Sequence, residues 1–125
     1  MSLDRRALLL GLAAFAAAPA RAHHGYMVWD TENPVALEGW ISKELDGFPH
    51  WEIWMRVEGE DWEVDVGDQF TLKKAGLSED GKEFKMRREL RIDGLRPVDR
   101  SVLRILPRRI TFLDSGESFE IEVNG

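Results

Sequence analysis

Three stretches in the first half of the chain alternate apolar and polar residues with a period of two, and this pattern constrains the fold more than any other feature. They cover residues 35–41, 51–57 and 62–66. A period of two is typical of a strand that buries one face. Turn-forming pairs stand before the first stretch, at Asn33-Pro34, and between the stretches, at Asp46-Gly47 and Glu60-Asp61. The sequence therefore predicts three strands joined by short turns.

A short helix is predicted directly after the third strand. Asp68 is its expected N-cap, the helix covers Gln69–Ala75, and Gly76 ends it. Its apolar residues are Phe70, Leu72 and Ala75.

The second half of the chain predicts two or three further strands. A fourth strand, ending at Gly94, is indicated by four evenly spaced apolar residues. They are Phe84, Met86, Leu90 and Ile92. Residues 102–113 hold a fifth strand, in which Pro107 marks an edge or a bulge because proline cannot donate to a ladder. A short final strand holds Phe119, Ile121 and Val123.

This order of elements predicts an all-β fold. We expect a small five- to six-stranded OB-like barrel with one short helix between strands three and four. An open β-sandwich also fits the pattern.

The first 22 residues have the features of a cleavable signal peptide. Arg5-Arg6 precedes an alanine-rich apolar run, and Ala20-Arg21-Ala22 forms an A-x-A cleavage site. The apolar run of residues 7–20 is shorter than the roughly 20 residues that span a membrane. We therefore expect a signal peptide at 1–22, an N-terminal arm at 23–34 and the barrel at 35–125. The location is then periplasmic or secreted, through the twin-arginine or the general secretion route.

The mature chain is strongly acidic. Removal of residues 1–22 takes away three arginines and one aspartate, which leaves 14 basic against 22 acidic side chains and a net charge of −8. This charge repels nucleic acids and anionic membranes, so neither is an expected partner. The chain has no cysteine, and a metal site must use histidine, carboxylate or amine ligands.

Three short motifs resemble those of a family of small exported bacterial proteins classed as a domain of unknown function. They are Ala22-His23-His24-Gly25, Asn33-Pro34-Val35-Ala36-Leu37-Glu38-Gly39 and Pro49-His50. Mature members of that family begin with His-His, and continue into a strand of pattern P-V-x-L-x-G-x-V, an N-P-H motif and an OB-like barrel. This chain differs in having Phe48 where the family has asparagine, and Ile41 where it has valine. The resemblance implies a periplasmic barrel and no established activity.

The three histidines of the chain, His23, His24 and His50, are the candidate metal ligands. Cleavage after Ala22 makes His23 the first residue, so one residue carries both a free amine and an imidazole. The amine has a pKa of roughly 7.7–8.0, and a metal can displace its proton near neutral pH. Nitrogen-rich planar ligand sets favour Cu(II). Copper is therefore the candidate cofactor.

Two chelation modes are open. In a brace, the amine and the His23 imidazole bind together and His24 or His50 completes the set. In a flat chelate, the amine, the amide nitrogen of His24 and the His24 imidazole bind. The alternative to both modes is a solvated N-terminus with no metal.

Two tryptophans, Trp40 and Trp54, fall on strand faces that are otherwise polar. They either line a binding surface or form a small cluster covered by the 23–34 arm. A run of arginines, Arg87, Arg88, Arg91, Arg108 and Arg109, is expected to pair with carboxylates on neighbouring strands. Those carboxylates are Glu38, Glu52 and Glu63.

No nucleophile, base and orienting group occur together in a catalytic motif, so we do not expect an enzyme. The sequence instead predicts a periplasmic binding module, with Cu(II) at the N-terminal histidines as the candidate ligand. The alternative is a protein–protein interaction domain that docks an unknown periplasmic protein through its Trp-bearing face, without metal.

Overall fold

The computed structural model describes residues 27–46 and 50–123, and the side chains of residues 44–46 and 50 lie outside the described set. Six strands and one helix follow one another along the chain. They are β1 (Val35–Asp46), β2 (His50–Val57), β3 (Glu60–Asp68), α1 (Gln69–Ala75), β4 (Glu89–Leu95), β5 (Arg104–Phe112) and β6 (Ser118–Glu120).

The first five strands close into a barrel. β1 pairs antiparallel with both β2 and β4, β2 pairs with β3, and β4 pairs with β5. A parallel contact between β3 and β5, at Glu63↔Arg104 and Val64↔Ile105, completes the circle. β6 adds one strand to β5 outside the barrel. The predicted OB-like barrel is thus confirmed, and the closure excludes the open β-sandwich.

β1 is long because it pairs with two different strands along its length. Its first half pairs with β4 and its second half with β2. The change of partner occurs around Gly39, where an added Cβ would lie 2.0 Å from the carbonyl oxygen of Arg56. A register shift follows between Ile41 and Lys43. The close approach requires a residue without a side chain at this position.

The apolar faces predicted for the first three strands form the core. The members with less than a tenth of their surface exposed are Ile41, Ile53, Met55, Val57, Trp62, Val64 and Val66. The later strands and the segment after β6 supply Leu90, Ile92, Ile105, Ile110, Phe112 and Ile121. The barrel interior is therefore filled by side chains.

The helix begins and ends where the sequence predicts. The carboxylate of Asp68 accepts hydrogen bonds from the Thr71 amide at 2.9 Å and from its hydroxyl at 3.0 Å. Gly76 closes the helix in the left-handed region, at φ 98°. Leu72 is fully buried, whereas Phe70 is 68% exposed. In the described part of the chain, no helix is long and apolar enough to cross a membrane.

Two sequence-based boundaries are wrong. The turn between β2 and β3 lies at Glu58-Gly59, not at Glu60-Asp61, because both turn residues adopt positive φ and the two acidic residues already belong to β3. The fourth strand begins at Glu89 instead of Phe84. Residues before it form a turn in which Arg87 has φ 68°, a left-handed conformation outside the β region.

Phe84 and Met86 therefore belong to this turn, and their even spacing does not reflect a strand. Phe84 is buried, with its ring centroid 5.7 Å from that of Phe112, whereas Met86 is 44% exposed.

Pro107 stands opposite Gly94, next to a register shift between Asp93 and Gly94, which confirms the predicted irregularity. The final strand covers only Ser118–Glu120.

Candidate functional site

Trp40 and Trp54 lie on the outer surface of neighbouring strands. Trp40 follows Gly39 on β1 and is 39% exposed, and Trp54 lies between the buried residues Ile53 and Met55 of β2. The two tryptophans are diagonal neighbours, because Trp40 stands opposite Arg56 and Trp54 stands opposite Lys43. We call this outer surface of β1 and β2, centred on Trp40 and Trp54, the Trp-bearing face.

Each tryptophan is part of a row of side chains that crosses the sheet. Cross-strand partners share a face, so the pairing register defines these rows. One row contains Glu89, Trp40, Arg56 and Asp61, on β4, β1, β2 and β3. The other contains Lys43, Trp54, Glu63 and Arg104, on β1, β2, β3 and β5. Both aromatic rings are thus flanked by charged groups.

Part of this charge is compensated within the face. The guanidinium of Arg56 donates to both carboxylate oxygens of Asp61, at 2.8 and 3.2 Å. The hydroxyl of Ser42 also donates to Asp61, at 3.2 Å. Two parallel bonds fix the orientation of the guanidinium. The edge of the face beside Trp40 is therefore held in a defined geometry.

A second charge cluster lies where β2, β3 and β5 meet. Nη2 of Arg104 is 3.6 Å from a carboxylate oxygen of Glu52, 3.5 Å from Glu63 and 3.6 Å from Asp65. These separations are long for hydrogen bonds, so the contacts are mainly electrostatic. One arginine faces three carboxylates, and the cluster keeps excess negative charge. It borders the Trp-bearing face at Glu63.

The expected arginine ladder is only partly present. Nη1 of Arg91 contacts Glu38 at 3.5 Å, as the sequence predicts. Arg88 instead pairs with Asp114, and Arg109 with Glu120. Glu52 and Glu63 are contacted by Arg104, because barrel closure brings β5 beside β3.

The last residues of the arm pair with the loop between β4 and β5. Trp29 forms a bridge with Pro97, the Asp30 amide donates to the Arg96 carbonyl at 2.8 Å, and the Val98 amide donates to the Val28 carbonyl at 2.9 Å. The bonds flank the Trp29–Pro97 pair, so the missing N–H of proline is not needed there. Arg100 also pairs with Asp30. The described end of the arm thus lies on this loop, and Trp40 remains exposed.

The candidate metal ligands lie mostly outside the described residues. His23 and His24 precede residue 27, and of His50 the structure describes only the backbone, at the start of β2. Among the residues that are described, no group of three histidine, cysteine, aspartate or glutamate side chains is arranged to hold a metal ion. The copper hypothesis therefore stays a prediction.

Among the described residues, six surface groups have shifted pKa values, and each shift favours the charged form. Asn33 donates to Asp30, Ser101 to Asp99, Arg88 to Asp114 and Lys74 to Glu122, and these bonds lower the pKa of each carboxyl. Hydrogen bonds to Asp93 and Glu120 raise the pKa of Arg91 and of Arg109. These shifts stabilise surface charge pairs, and none of the six moves a group toward neutral pH.

Two comparisons of this chain with known proteins, one with family models and one with curated sequences, give no match. No protein-family model matches it, and a search of curated proteins finds no similar sequence. The resemblance to the family of small exported barrels stays a prediction.

Sequence reasoning missed most of the charged neighbours of the two tryptophans. The alternation in β2 does place Trp54 and Arg56 on one face, and this signal was available. The partnership of Lys43 with Trp54 depends on the register shift after Ile41, which the sequence does not encode locally. Arg104 gave no signal, because its carboxylate partners lie on strands far away in the chain.

Proposed function

We propose that this chain is an exported, non-catalytic binding module that docks a periplasmic protein through its Trp-bearing face. The observation that carries the proposal is the position of Trp40, 39% exposed, on the same outer sheet surface as Trp54. Tryptophan is among the residue types that most often dominate the binding energy of protein interfaces.

The architecture supports the same surface. OB-folds bind oligonucleotides and oligosaccharides on the face of their second and third strands, and Trp54 lies on the second strand between Lys43 and Glu63. The ion pair of Arg56 with Asp61 gives the face a polar rim beside an aromatic centre. An aromatic centre with a polar rim is the usual anatomy of a protein interface.

The charge of the chain supports a protein partner over a polyanion. The full chain carries −6 and the predicted mature chain −8. Nucleic acids and anionic membranes present many negative charges over a long distance, and a net negative domain is repelled by them.

The proposal is tested by capture of partners with the purified mature protein from a periplasmic extract of its own source. Trp40→Ala should remove the captured protein, because the truncation deletes the exposed aromatic anchor. Phe70→Ala is the matched control, because Phe70 is 68% exposed and lies on the helix, not on β1 or β2. Capture that is unchanged by Trp40→Ala, or lost equally in both variants, would contradict docking through this face.

Cu(II) binding at the N-terminal histidines is a second candidate. It rests on the His23-His24 pair at the predicted mature N-terminus, and the arm that follows this pair is attached to the barrel at Trp29 and Pro97. Val28 is five residue steps after His23, and such a segment spans at most about 18 Å. This length limits the distance of His23 and His24 from the loop between β4 and β5, and His50 begins β2 next to the opposite end of β1. This candidate requires cleavage after Ala22, which supplies the free amine.

Mass spectrometry of the exported protein, without and with added copper, tests this candidate. We expect a mass that begins at His23 and an adduct of one copper ion. His23→Ala should weaken copper binding most in the brace, and His24→Ala most in the flat chelate. One extra residue before His23 should impair both modes, because each needs the amine at its present position. Copper affinity unchanged by that extra residue would refute the candidate.

A further inference from the structure

We infer that the partner of the Trp-bearing face is an acidic protein segment. The inference rests on the proposed function and names the chemistry of the partner. It is carried by three cations at the edge of the face, Lys43, Lys85 and Arg87, which form no ion pair with any described residue. We call these three residues the basic edge.

The backbone places the basic edge beside the tryptophans. Lys43 stands opposite Trp54 in the pairing of β1 with β2. On the other side of β1, the Arg87 amide donates to the Ile41 carbonyl at 2.7 Å, and the Ile41 amide donates to the Arg88 carbonyl at 3.0 Å. The turn that holds Lys85 and Arg87 is therefore fixed to β1 between Trp40 and Lys43.

This turn is anchored as well as exposed. The Arg88 amide donates to the Lys85 carbonyl at 3.1 Å, which closes the turn. The Arg88 guanidinium lies 3.8 Å from the centre of the Phe112 ring and pairs with Asp114. Lys85 and Arg87 are exposed, and so is Met86 between them, at 44%. The turn thus presents two cations around an apolar side chain.

Half of the unpaired cations in the described part of the chain belong to the basic edge, and the others are Lys82, Arg96 and Arg108. Of the 14 lysines and arginines in the described part of the chain, eight form an ion pair. The three of the basic edge remain available, next to the exposed tryptophan. One exposed carboxylate, Glu89, stands opposite Trp40. Glu44 and Asp46 continue β1, with side chains outside the described set. The described side chains of this edge therefore carry excess positive charge.

The small size of the basic edge decides between classes of anionic partner. At physiological ionic strength charges are screened beyond about 8 Å. A short acidic segment can approach the basic edge without meeting the carboxylates elsewhere on the barrel. A membrane or an extended polyanion must face the whole acidic surface. The exposed Trp40 and Met86 further suit a segment that mixes acidic and apolar side chains.

Binding of two synthetic peptides to the mature protein tests the inference. Each has twelve residues, one with the repeat Glu-Glu-Leu and the other with Lys-Lys-Leu, and vesicles of phosphatidylglycerol form a third arm. The Glu peptide should bind on the order of tenfold more tightly than the Lys peptide, and raised salt should weaken it. The vesicles should not bind. Absence of Glu-peptide binding, preference for the Lys peptide, or vesicle binding through the basic edge would overturn the inference.

Charge reversal locates the binding. The double variant Lys43→Glu/Arg87→Glu should weaken Glu-peptide binding about tenfold. Lys73→Glu/Arg108→Glu is the control, because it changes the net charge equally at exposed positions on the helix and on β5. An equal effect of the two double variants would refute a local site.

The same variants separate this inference from the proposed function. A captured partner that requires Trp40 but tolerates Lys43→Glu/Arg87→Glu would leave docking intact and refute the acidic segment. A captured partner whose capture is unchanged by Trp40→Ala would refute docking through the face, regardless of the result of the peptide-binding experiment.

Discussion

Gly39→Ala should strongly destabilise the barrel. An added Cβ would lie 2.0 Å from the Arg56 carbonyl oxygen, 2.9 Å from its carbonyl carbon and 3.1 Å from Cγ2 of Val57. Carbon and oxygen ordinarily approach to about 3.3 Å. The two strands must therefore separate by more than about 1 Å at a point where β2 is paired on both sides.

The free energy of unfolding should fall by about 3 kcal/mol. Overpacking typically costs about 1–3 kcal/mol, and the obstacle here is backbone, which cannot rotate away. A weakened backbone hydrogen bond adds about 1 kcal/mol. For a domain of this size, 3 kcal/mol corresponds to a fall in Tm of about 12–24 °C. Thermal unfolding followed by circular dichroism measures this fall.

Gly59→Ala is the matched control for this prediction. Gly59 has φ 84° but no atom within 4 Å of an added Cβ, so the substitution meets only conformational strain. That strain amounts to about 1 kcal/mol. Equal effects of the two substitutions would show that β1 and β2 do not approach each other at Gly39 as described.

Two further predictions concern the helix and the surface charges. Leu72→Ala should lower the free energy of unfolding, measured with denaturant, by about 2–5 kcal/mol because Leu72 is fully buried. Phe70→Ala should change it by less than about 0.5 kcal/mol because Phe70 is exposed. Equal effects would contradict the orientation of the helix. Hydrogen bonding by Arg88 lowers the folded-state pKa of Asp114, so its stabilisation is present above the unfolded pKa and is lost as pH falls through the folded pKa. Asp114→Asn should therefore reduce the loss of stability as pH falls below the ordinary aspartate pKa of about 3.9, and an unchanged acid profile would contradict the pairing.

The helix and the inner strand faces could be predicted because their signals are local. The Asp68 cap and the left-handed Gly76 sit within one turn of the helix they bound. Alternation in β1, β2 and β3 identifies the buried residues without any knowledge of pairing.

The start of β4 could not be read in the same way. Phe84 is buried, but it reaches the core from a turn, and the left-handed Arg87 that ends this turn has no sequence signature. Spacing alone does not distinguish a buried turn residue from a strand residue.

The candidate site depended on long-range structure. That Trp40 and Trp54 face outward followed from alternation. Their neighbours depended on a register shift in β1, and the Arg104 cluster depended on closure of β5 against β3. The basic edge forms only because the turn before β4 bonds to Ile41. Such contacts are set by the barrel as a whole.

The most direct test of docking through the Trp-bearing face is site-specific photo-crosslinking in the exported protein. A photoreactive p-benzoylphenylalanine replaces Trp40 in one variant and Phe70 in another, so that both probes occupy exposed aromatic positions. Docking through the Trp-bearing face predicts a discrete crosslinked protein with the probe at position 40 and none with the probe at position 70. No crosslink at position 40, or the same product from both positions, would contradict it.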